Sequence, residues 1–461
     1  MYCTNYMDIV HVASELAPIA KVGGLGDVLF GLSKALVKKG HCVCVILPKY
    51  DLLKTDGLQK LEIKQKDFIV EEGGQKIAVT LWSARFEGID LVLIEDHHPK
   101  HYFSRGKIYS EEDDVNRFLF LSKAASLYIE QNKPDVVHLH DWPTAACTLF
   151  LKGKVKTVYT IHNLEYQGIC APDHCASLSL PYDPQYLSDP NELEACNLMR
   201  GAIYAADVLT TVSPSYAQEM LTPEFGCSLE SDLLAHKKHL KGILNGIDTD
   251  YWNPQTDPLL TKTYSKETVS EGKKTNKQEV QKRFHLKPDK PLVVSITRLA
   301  SQKGPDLIEY GIQKTLELGG QFVLLGSAAD PDTQAQFEAL RSLEGVVIHL
   351  EYDESLSHLL FAASDMLLMP SIFEPCGLTQ MIAMRYGTVP LVRATGGLKD
   401  TVQEGINGFT FDIPDNKGVA TVLEKGFAAL ANSEWATLIH NGMEADWSWG
   451  VSAEKYLEVY K

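Results

Sequence analysis

Ile9-Val10-His11-Val12, then Lys21-Val22-Gly23-Gly24-Leu25-Gly26-Asp27, then Val28, Leu29, Leu32 and Leu36: this opening stretch decides the fold. A short apolar run without alternation suits a strand buried on both faces. Leu25, Val28, Leu29, Leu32 and Leu36 recur at i, i+3, i+4, i+7 and i+11, the stripe of an amphipathic helix. Between them lies a turn of three glycines. The same kind of run returns at Cys42–Leu47, Leu91–Ile94, Val136–Leu139, Val158–Ile161 and Val208–Val212, and again at Leu292–Ile296, Phe322–Leu325, Val346–Leu350, Met366–Met369 and Val389–Val392. Strand and helix patterns in alternation predict parallel sheets covered on both faces by helices. A polar stretch from Asn253 to Pro291 separates the two series and reads as a surface excursion between two cores. Asn245-Gly246 is a strong turn signal and marks a hinge. The expected fold class is α/β, two doubly wound Rossmann-like domains facing across a cleft, with ligands at the carboxyl ends of the strands.

A length of 461 residues fits two domains of ordinary size, and 44% hydrophobic against 23% charged residues is globular composition. The formal net charge of −16 repels phosphate backbones and anionic lipid, which argues against nucleic acid and membrane surfaces as partners. A phosphate-bearing substrate must then be held by a few local cations and backbone amides. The nine cysteines, Cys42, Cys44, Cys170 and Cys175 among them, form no C-x-x-C pairs of a zinc site. They fit a reducing compartment. Met1–Met7 has no signal-peptide pattern, and no run approaches the roughly 20 apolar residues that span a bilayer. The expected location is cytoplasmic.

Five segments carry chemistry. In Lys21–Asp27 the glycines let a ligand approach the backbone, the helix start favours an anion, and Lys21 adds a charge. The spacing is neither a dinucleotide fingerprint nor a P-loop. The competing reading is a tight turn with a solvated lysine. His138-Leu139-His140-Asp141-Trp142-Pro143 ends a strand. There Asp141 can accept from sugar hydroxyls and Trp142 can pack on a pyranose face. His138 and His140 are either satisfied core histidines or, less well supported, a metal pair. His162-Asn163 at the next strand end offers donors and acceptors, or else a capping turn. Arg298 and Lys303 straddle a strand-to-helix turn, either as a surface pair or converging on a diphosphate. In Phe373-Glu374-Pro375-Cys376-Gly377-Leu378-Thr379-Gln380 the amides lead into a helix start, beside a carboxylate suited to sugar hydroxyls. Cys376 reads as a packing residue. Asp248-Thr249-Asp250 and Asp330-Pro331-Asp332 match the D-x-D of metal-dependent transferases. They read as turn chemistry instead, so no metal site is expected.

Taken together, in order and over nearly the whole chain from Met7 to Tyr460, these segments resemble the bacterial glycogen synthase and plant starch synthase family, retaining glycosyltransferases of the GT-B class. The resemblance implies a hexosyltransferase that moves glucose from ADP-glucose to the non-reducing 4-OH of an α-1,4-glucan, glycogen or a malto-oligosaccharide. It implies retention of configuration, with no metal and no cofactor beyond the nucleotide sugar. It makes residues 1–244 the acceptor-side domain, with a helix at 443–461 returning to it, and residues 245–442 the nucleotide-sugar domain. It places Lys21, Asp141, His162, Arg298, Lys303 and Glu374 in catalysis. Gly23, Gly24, Asn163, Asn245, Tyr352, Cys376, Gly377, Leu378 and Thr379 join Lys21, Arg298 and Lys303 around the donor, Tyr352 against the base. Two departures stand out. Pro143 replaces a more polar residue, and Ile382 occupies the place of a second glutamate that broader GT-B enzymes carry eight residues after the first. The rival readings are a same-fold nucleotide-sugar enzyme with another acceptor and a non-catalytic glucan-binding scaffold. The presence of Lys21, His162, Arg298, Lys303 and Glu374 argues against the scaffold.

Overall fold

Each of the eleven apolar runs named above forms a strand, give or take one or two residues at its ends. The computed structural model describes residues 6–461. In chain order the first strands are β1 (Asp8–Val12), β2 (Cys42–Pro48), β3 (Gln59–Glu72), β4 (Gln75–Phe86), β5 (Ile89–Asp96), β6 (Val136–His140) and β7 (Lys156–Ile161). They are followed by a two-residue ladder, β8 (Ile169–Cys170) with β9 (Cys196–Asn197), and by β10 (Val208–Thr211) and β11 (Leu240–Gly242). The nine-stranded sheet runs β11-β10-β7-β6-β1-β2-β5-β4-β3. It is parallel except where β4 pairs antiparallel with β3 and β5. That long hairpin was not foreseen. β3 lies at the sheet edge with ten of its first eleven residues exposed, so it lacks the continuous apolar run that marks a buried strand.

The second sheet comprises β12 (Leu292–Ile296), β13 (Gln321–Leu325), β14 (Val346–His349), β15 (Met366–Met369), β16 (Val389–Arg393) and β17 (Phe409–Phe411). Its order is β14-β13-β12-β15-β16-β17, parallel throughout. In each sheet the strand order reverses beside the first strand, at β1/β6 and at β12/β15. An open parallel sheet binds ligands at such a switch point, beyond the carboxyl ends of the strands.

The helix Gly24–Lys38 forms where the apolar stripe demanded it, burying Val28, Leu29, Leu32 and Leu36. Each such side chain contributes about 1.5–3 kcal/mol on burial, so this stripe dominates the helix's docking. The helix Trp449–Tyr460 packs on it, and Gly31 is what permits the contact: a Cβ there would lie 1.9 Å from the Trp449 indole nitrogen.

The chain divides into two units, one running to Gly246 and taking in Trp449–Lys461, the other Ile247–Ser448. Both boundaries differ from the expected ones. Asn245 and Gly246 remain with the first unit. Of the predicted return segment 443–461, residues 443–448 stay with the second, where Ile247 N–H donates to Trp447 O at 2.8 Å. The Asn245-Gly246 turn is also not formed. Gly246 has no positive φ, and Asn245 is buried as the chain runs on from β11.

The polar stretch 253–291 is more than an excursion, because it contains the helix Val269–Arg283. That helix has almost no apolar face and docks by polar contacts instead. Buried Lys273 donates to Thr388 Oγ1 (2.8 Å) and to the carbonyls of Tyr386, Ala362 and Phe361. Burial pushes its ammonium down to about 7.

Candidate functional site

At the first switch point, β6 hands over to Asp141 and β7 to His162-Asn163. Asp141 sits at φ +57°, and its Oδ1 accepts from the amides of His162 (2.7 Å) and Asn163 (3.4 Å). Burial pushes the Asp141 carboxyl up to about 7, while these two amides pull the other way. Asp141 thus clamps the turn that carries His162. Asn163 turns its own Oδ1 to the Glu165 amide at 3.0 Å, the capping role offered as its alternative. Trp142 does not stand free as a sugar platform. Its ring meets Phe118 edge-on at 5.3 Å and lies against Gly168.

Behind His162 runs a file of buried imidazoles. His162 Nε2 lies 3.1 Å from His140 Nδ1, and His140 Nε2 lies 3.0 Å from His11 Nδ1. His138 is bonded apart from this file, to Tyr460 Oη at 2.7 Å and Thr160 Oγ1 at 2.5 Å. Burial drives His11 and His162 down to about 3, and His138 and His140 well below the ordinary imidazole value. All four are neutral at pH 7.

The glycine turn after β1 differs from expectation. The amides of Val22 and Gly23 are already engaged by a carboxylate of the chain itself, Glu15 Oε2, at 2.7 and 2.8 Å. Glu15 is buried, and its Oε1 accepts from Tyr109 Oη at 2.8 Å. Gly23 caps the helix that begins at Gly24. Lys21 reaches Asp27 at 2.8 Å, with both side chains about 40% exposed.

At the second switch point the polar groups are charged. Lys303, in the short turn Ser301–Lys303 before the helix Pro305–Glu317, donates to Glu374 Oε2 at 2.5 Å. Ser371 Oγ donates to the same oxygen at 3.0 Å. Glu374 is 5% exposed, so its charge is held against desolvation by these two donors. Lys303 pairs with Glu374, while the exposed side chain of Arg298 has no ion-pair partner among the described residues. Cys376 is buried as a packing residue. The helix Thr379–Arg385 starts at Leu378 with no side chain capping its amides, while Gln380 Nε2 braces the loop through the carbonyls of Cys376 (3.1 Å) and Gly377 (2.9 Å). Tyr352, just past β14, is 77% exposed. The D-x-D pairs are turn chemistry: Asp248 Oδ1 accepts from the Asp250 amide, and Asp330 caps the helix Pro331–Ala339.

Comparison with known proteins fits this arrangement. Residues 8–235 match the starch synthase catalytic domain, and residues 276–427 match glycosyl transferases group 1. The chain is 40% identical to a glycogen synthase of Protochlamydia amoebophila over 99% of both proteins. The chain belongs to the glycogen and starch synthase family. It is also 44% identical to the probable starch synthase 4, chloroplastic/amyloplastic, of Arabidopsis thaliana, of which it spans 46%. The catalytic domain of starch synthase IV from that plant, solved bound to ADP and acarbose, superposes with a TM-score of 0.91 at 43% identity over 99% of each chain. A sucrose-phosphate synthase from Thermosynechococcus elongatus shares the fold at 18% identity and a TM-score of 0.63. The two Rossmann-like units are therefore those of a GT-B glycosyltransferase.

For a member of this family, two groups of side chains escaped the sequence reading. One is Glu15, hidden because a lone acid after a strand carries no pattern. The other is Thr395-Gly396-Gly397 after β16, which repeats the strand, glycine pair and helix order of the opening stretch. Gly396, at φ +44°, lies so close to Glu374 that a Cβ would stand 2.0 Å from its carbonyl oxygen, and the Gly397 amide donates to that oxygen at 3.0 Å. The metal reading of the histidines also takes a definite form. Ring nitrogens of His11, His138 and His140 lie within 4.8 Å of one another. Both nitrogens of His138 and of His140 are already in hydrogen bonds, so an ion there would have to break the file. Among the described residues no helix is long and apolar enough to cross a membrane.

Proposed function

We propose that this chain transfers glucose from ADP-glucose to the non-reducing 4-OH of an α-1,4-glucan with retention of configuration. The observation that carries the reading is the Lys303–Glu374 pair at the second switch point, in a chain 40% identical from end to end to a glycogen synthase. Lys303 and Arg298 neutralise the departing diphosphate, work that positioned cations perform at developing charge. Glu374 binds sugar hydroxyls, and the amides of Cys376, Gly377, Leu378 and Thr379 bind phosphate at a helix start. Tyr352 packs on the base. His162, held by Asp141, meets the reacting glucose, with Asn163 beside it. Lys21, Gly23, Gly24 and Asn245 complete the donor set. In this scheme Lys21 must leave Asp27 and Glu374 must share Lys303 with the substrate.

Retention through two displacements needs a carboxylate nucleophile beneath the anomeric carbon; in this scheme Asp141 holds the turn of His162 and Glu374 holds sugar hydroxyls, which leaves that role unfilled. The reaction is therefore a front-face substitution. The bond from the anomeric carbon to the diphosphate oxygen breaks, the bond to the acceptor O4 forms on the same face, and the 4-OH proton passes to the departing diphosphate.

The test is to incubate the protein with ADP-glucose or UDP-glucose, with and without glycogen, and to measure free nucleotide. ADP released in step with glucose added to glycogen is expected. Release that does not depend on a glucan, or glucose appearing on another acceptor, would overturn the reading.

A further inference from the structure

The imidazole file has a direction, and the direction is set at its buried end. Each neutral imidazole carries one N–H and one bare nitrogen. His11, His140 and His162 are bonded in series, so their protons can be placed in two ways. In one, each ring donates from Nδ1 toward His162, whose Nε2 accepts. In the other, each donates from Nε2 toward His11.

The two arrangements differ at His11 Nε2, which is buried and has no hydrogen-bond partner among the described residues. In the second arrangement that atom is an N–H with nothing to receive it. In the first it is an unused lone pair. Buried orphan N–H groups are the rarer and costlier defect. The first arrangement therefore holds. His11 Nδ1–H donates to His140 Nε2, His140 Nδ1–H donates to His162 Nε2, and the proton of His162 resides on Nδ1, the ring nitrogen outside the file.

We propose that His11 and His140 are positioning residues that fix His162 as a one-way hydrogen-bond donor, its Nδ1–H offered to a hydroxyl oxygen of the donor sugar. The last clause rests on the reading that His162 meets the sugar; the tautomer itself does not. Nothing in the file touches substrate except through His162. The ring planes support a single rigid unit: His11 lies 25° from His140, and His140 lies 34° from His162, at centroid separations of 5.3 Å. Asp141 fixes the same residue through its backbone, so ring and main chain are clamped from different sides. A sugar hydroxyl facing Nδ1–H must accept there, which leaves its own proton for another acceptor. That arrangement discriminates against an epimer whose oxygen lies elsewhere.

The proposal is tested first on the native protein. Nitrogen NMR of protein labelled at the histidine ring nitrogens shows which atom bears the proton, with the His162 signals identified by their loss in His162→Gln. Protonated Nδ1 and bare Nε2 are expected; protonated Nε2 would overturn the proposal whatever the activity. Second, His11→Leu removes the first donor. His162 should then populate both tautomers, and kcat should fall about tenfold with ADP affinity within twofold. His11→Asn, which restores a donor at the Nδ1 position, should recover most of the loss. An unchanged His162 tautomer in His11→Leu would overturn the proposal. If the tautomer is as proposed but His162→Gln turns over like the native protein, the sugar-contact reading fails and the file stands.

Discussion

The two switch points hold their functional side chains by opposite physics. At β1/β6 a file of neutral imidazoles, buried to the point of losing their basicity, is ordered by directional hydrogen bonds, while the acids beside it, Asp141 and Glu15, hold backbone amides. At β12/β15 they are a lysine and a glutamate 2.5 Å apart. A neutral wall discriminates by geometry, because each donor or acceptor is fixed in place. A charged wall stabilises charge as it develops, with a strength that low-dielectric surroundings increase. A glucosyl transfer needs both, geometry at the sugar and charge at the leaving diphosphate. The proposed function draws them from separate sheets.

Short of removing Lys303 itself, the largest effect that would break this contrast is expected at Glu374. Glu374→Ala removes the acceptor of Lys303 and Ser371 together, and bonds to charged groups are worth about 1.5–3 kcal/mol each. Turnover should fall about 100-fold in a steady-state assay. Glu374→Gln, which still accepts from Ser371 Oγ, should lose less. Glu374→Gln turning over like the native protein would mean that the charge does nothing.

Acid should act on the neutral wall first. His11 titrates near 3 when folded and about 6.5 when unfolded. The stability it contributes is full above pH 6.5 and is lost as pH falls toward 3. At pH 5 the loss is about 2 kcal/mol for His11 alone, roughly matched by the gain as Asp141 is protonated, and His138, His140 and His162 add to the loss and decide the net direction. Hydrogen exchange at pH 7 and pH 5 should show the first unit losing protection while the second holds. Uniform loss across both units would contradict the contrast.

Asp141 sharpens it further. Its carboxyl is pushed up to about 7 in the folded chain against about 3.9 unfolded, so ionisation disfavours the fold as pH rises through that window. Asp141→Asn keeps an acceptor for the His162 amide without the charge. Its stability relative to the native protein should be higher at pH 8 than at pH 4, by roughly 3–4 kcal/mol. No pH dependence in the difference would show that burial is not what raises this group. The smallest effect belongs to the exposed Lys21–Asp27 pair. Asp27→Asn should change stability by less than about 1 kcal/mol, read from thermal melts.

How much of this was legible in the sequence follows from the same contrast. The strands that frame both switch points are continuous apolar runs, so the parallel sheets could be read directly. The edge hairpin Gln59–Phe86 and the helix Val269–Arg283 could not, because the edge strand is mostly exposed and the helix is bound through Lys273 and its carbonyls. Lys303 and Glu374 were singled out, but their direct pairing was not, since residues 71 apart show no spacing signal. Arg298 and Lys303 were expected to converge on a diphosphate, a role kept in the proposed function; the contact of Lys303 with the carboxylate was not expected. His138 and His140 read as core histidines, and that holds. His11 raised no expectation, because its role exists only where β1 lies beside β6. Glu15, which occupies the amides of the glycine turn, is a tertiary fact of the same kind.

The most direct test of charge-assisted departure is Lys303→Ala, assayed for glucan-dependent ADP release from ADP-glucose and, separately, for ADP binding by calorimetry. Loss of one positioned donor at a developing charge costs about 100- to 1000-fold in turnover, so a fall of that size with ADP affinity changed less than tenfold is expected. Turnover and affinity falling by the same factor, or turnover unchanged, would contradict it.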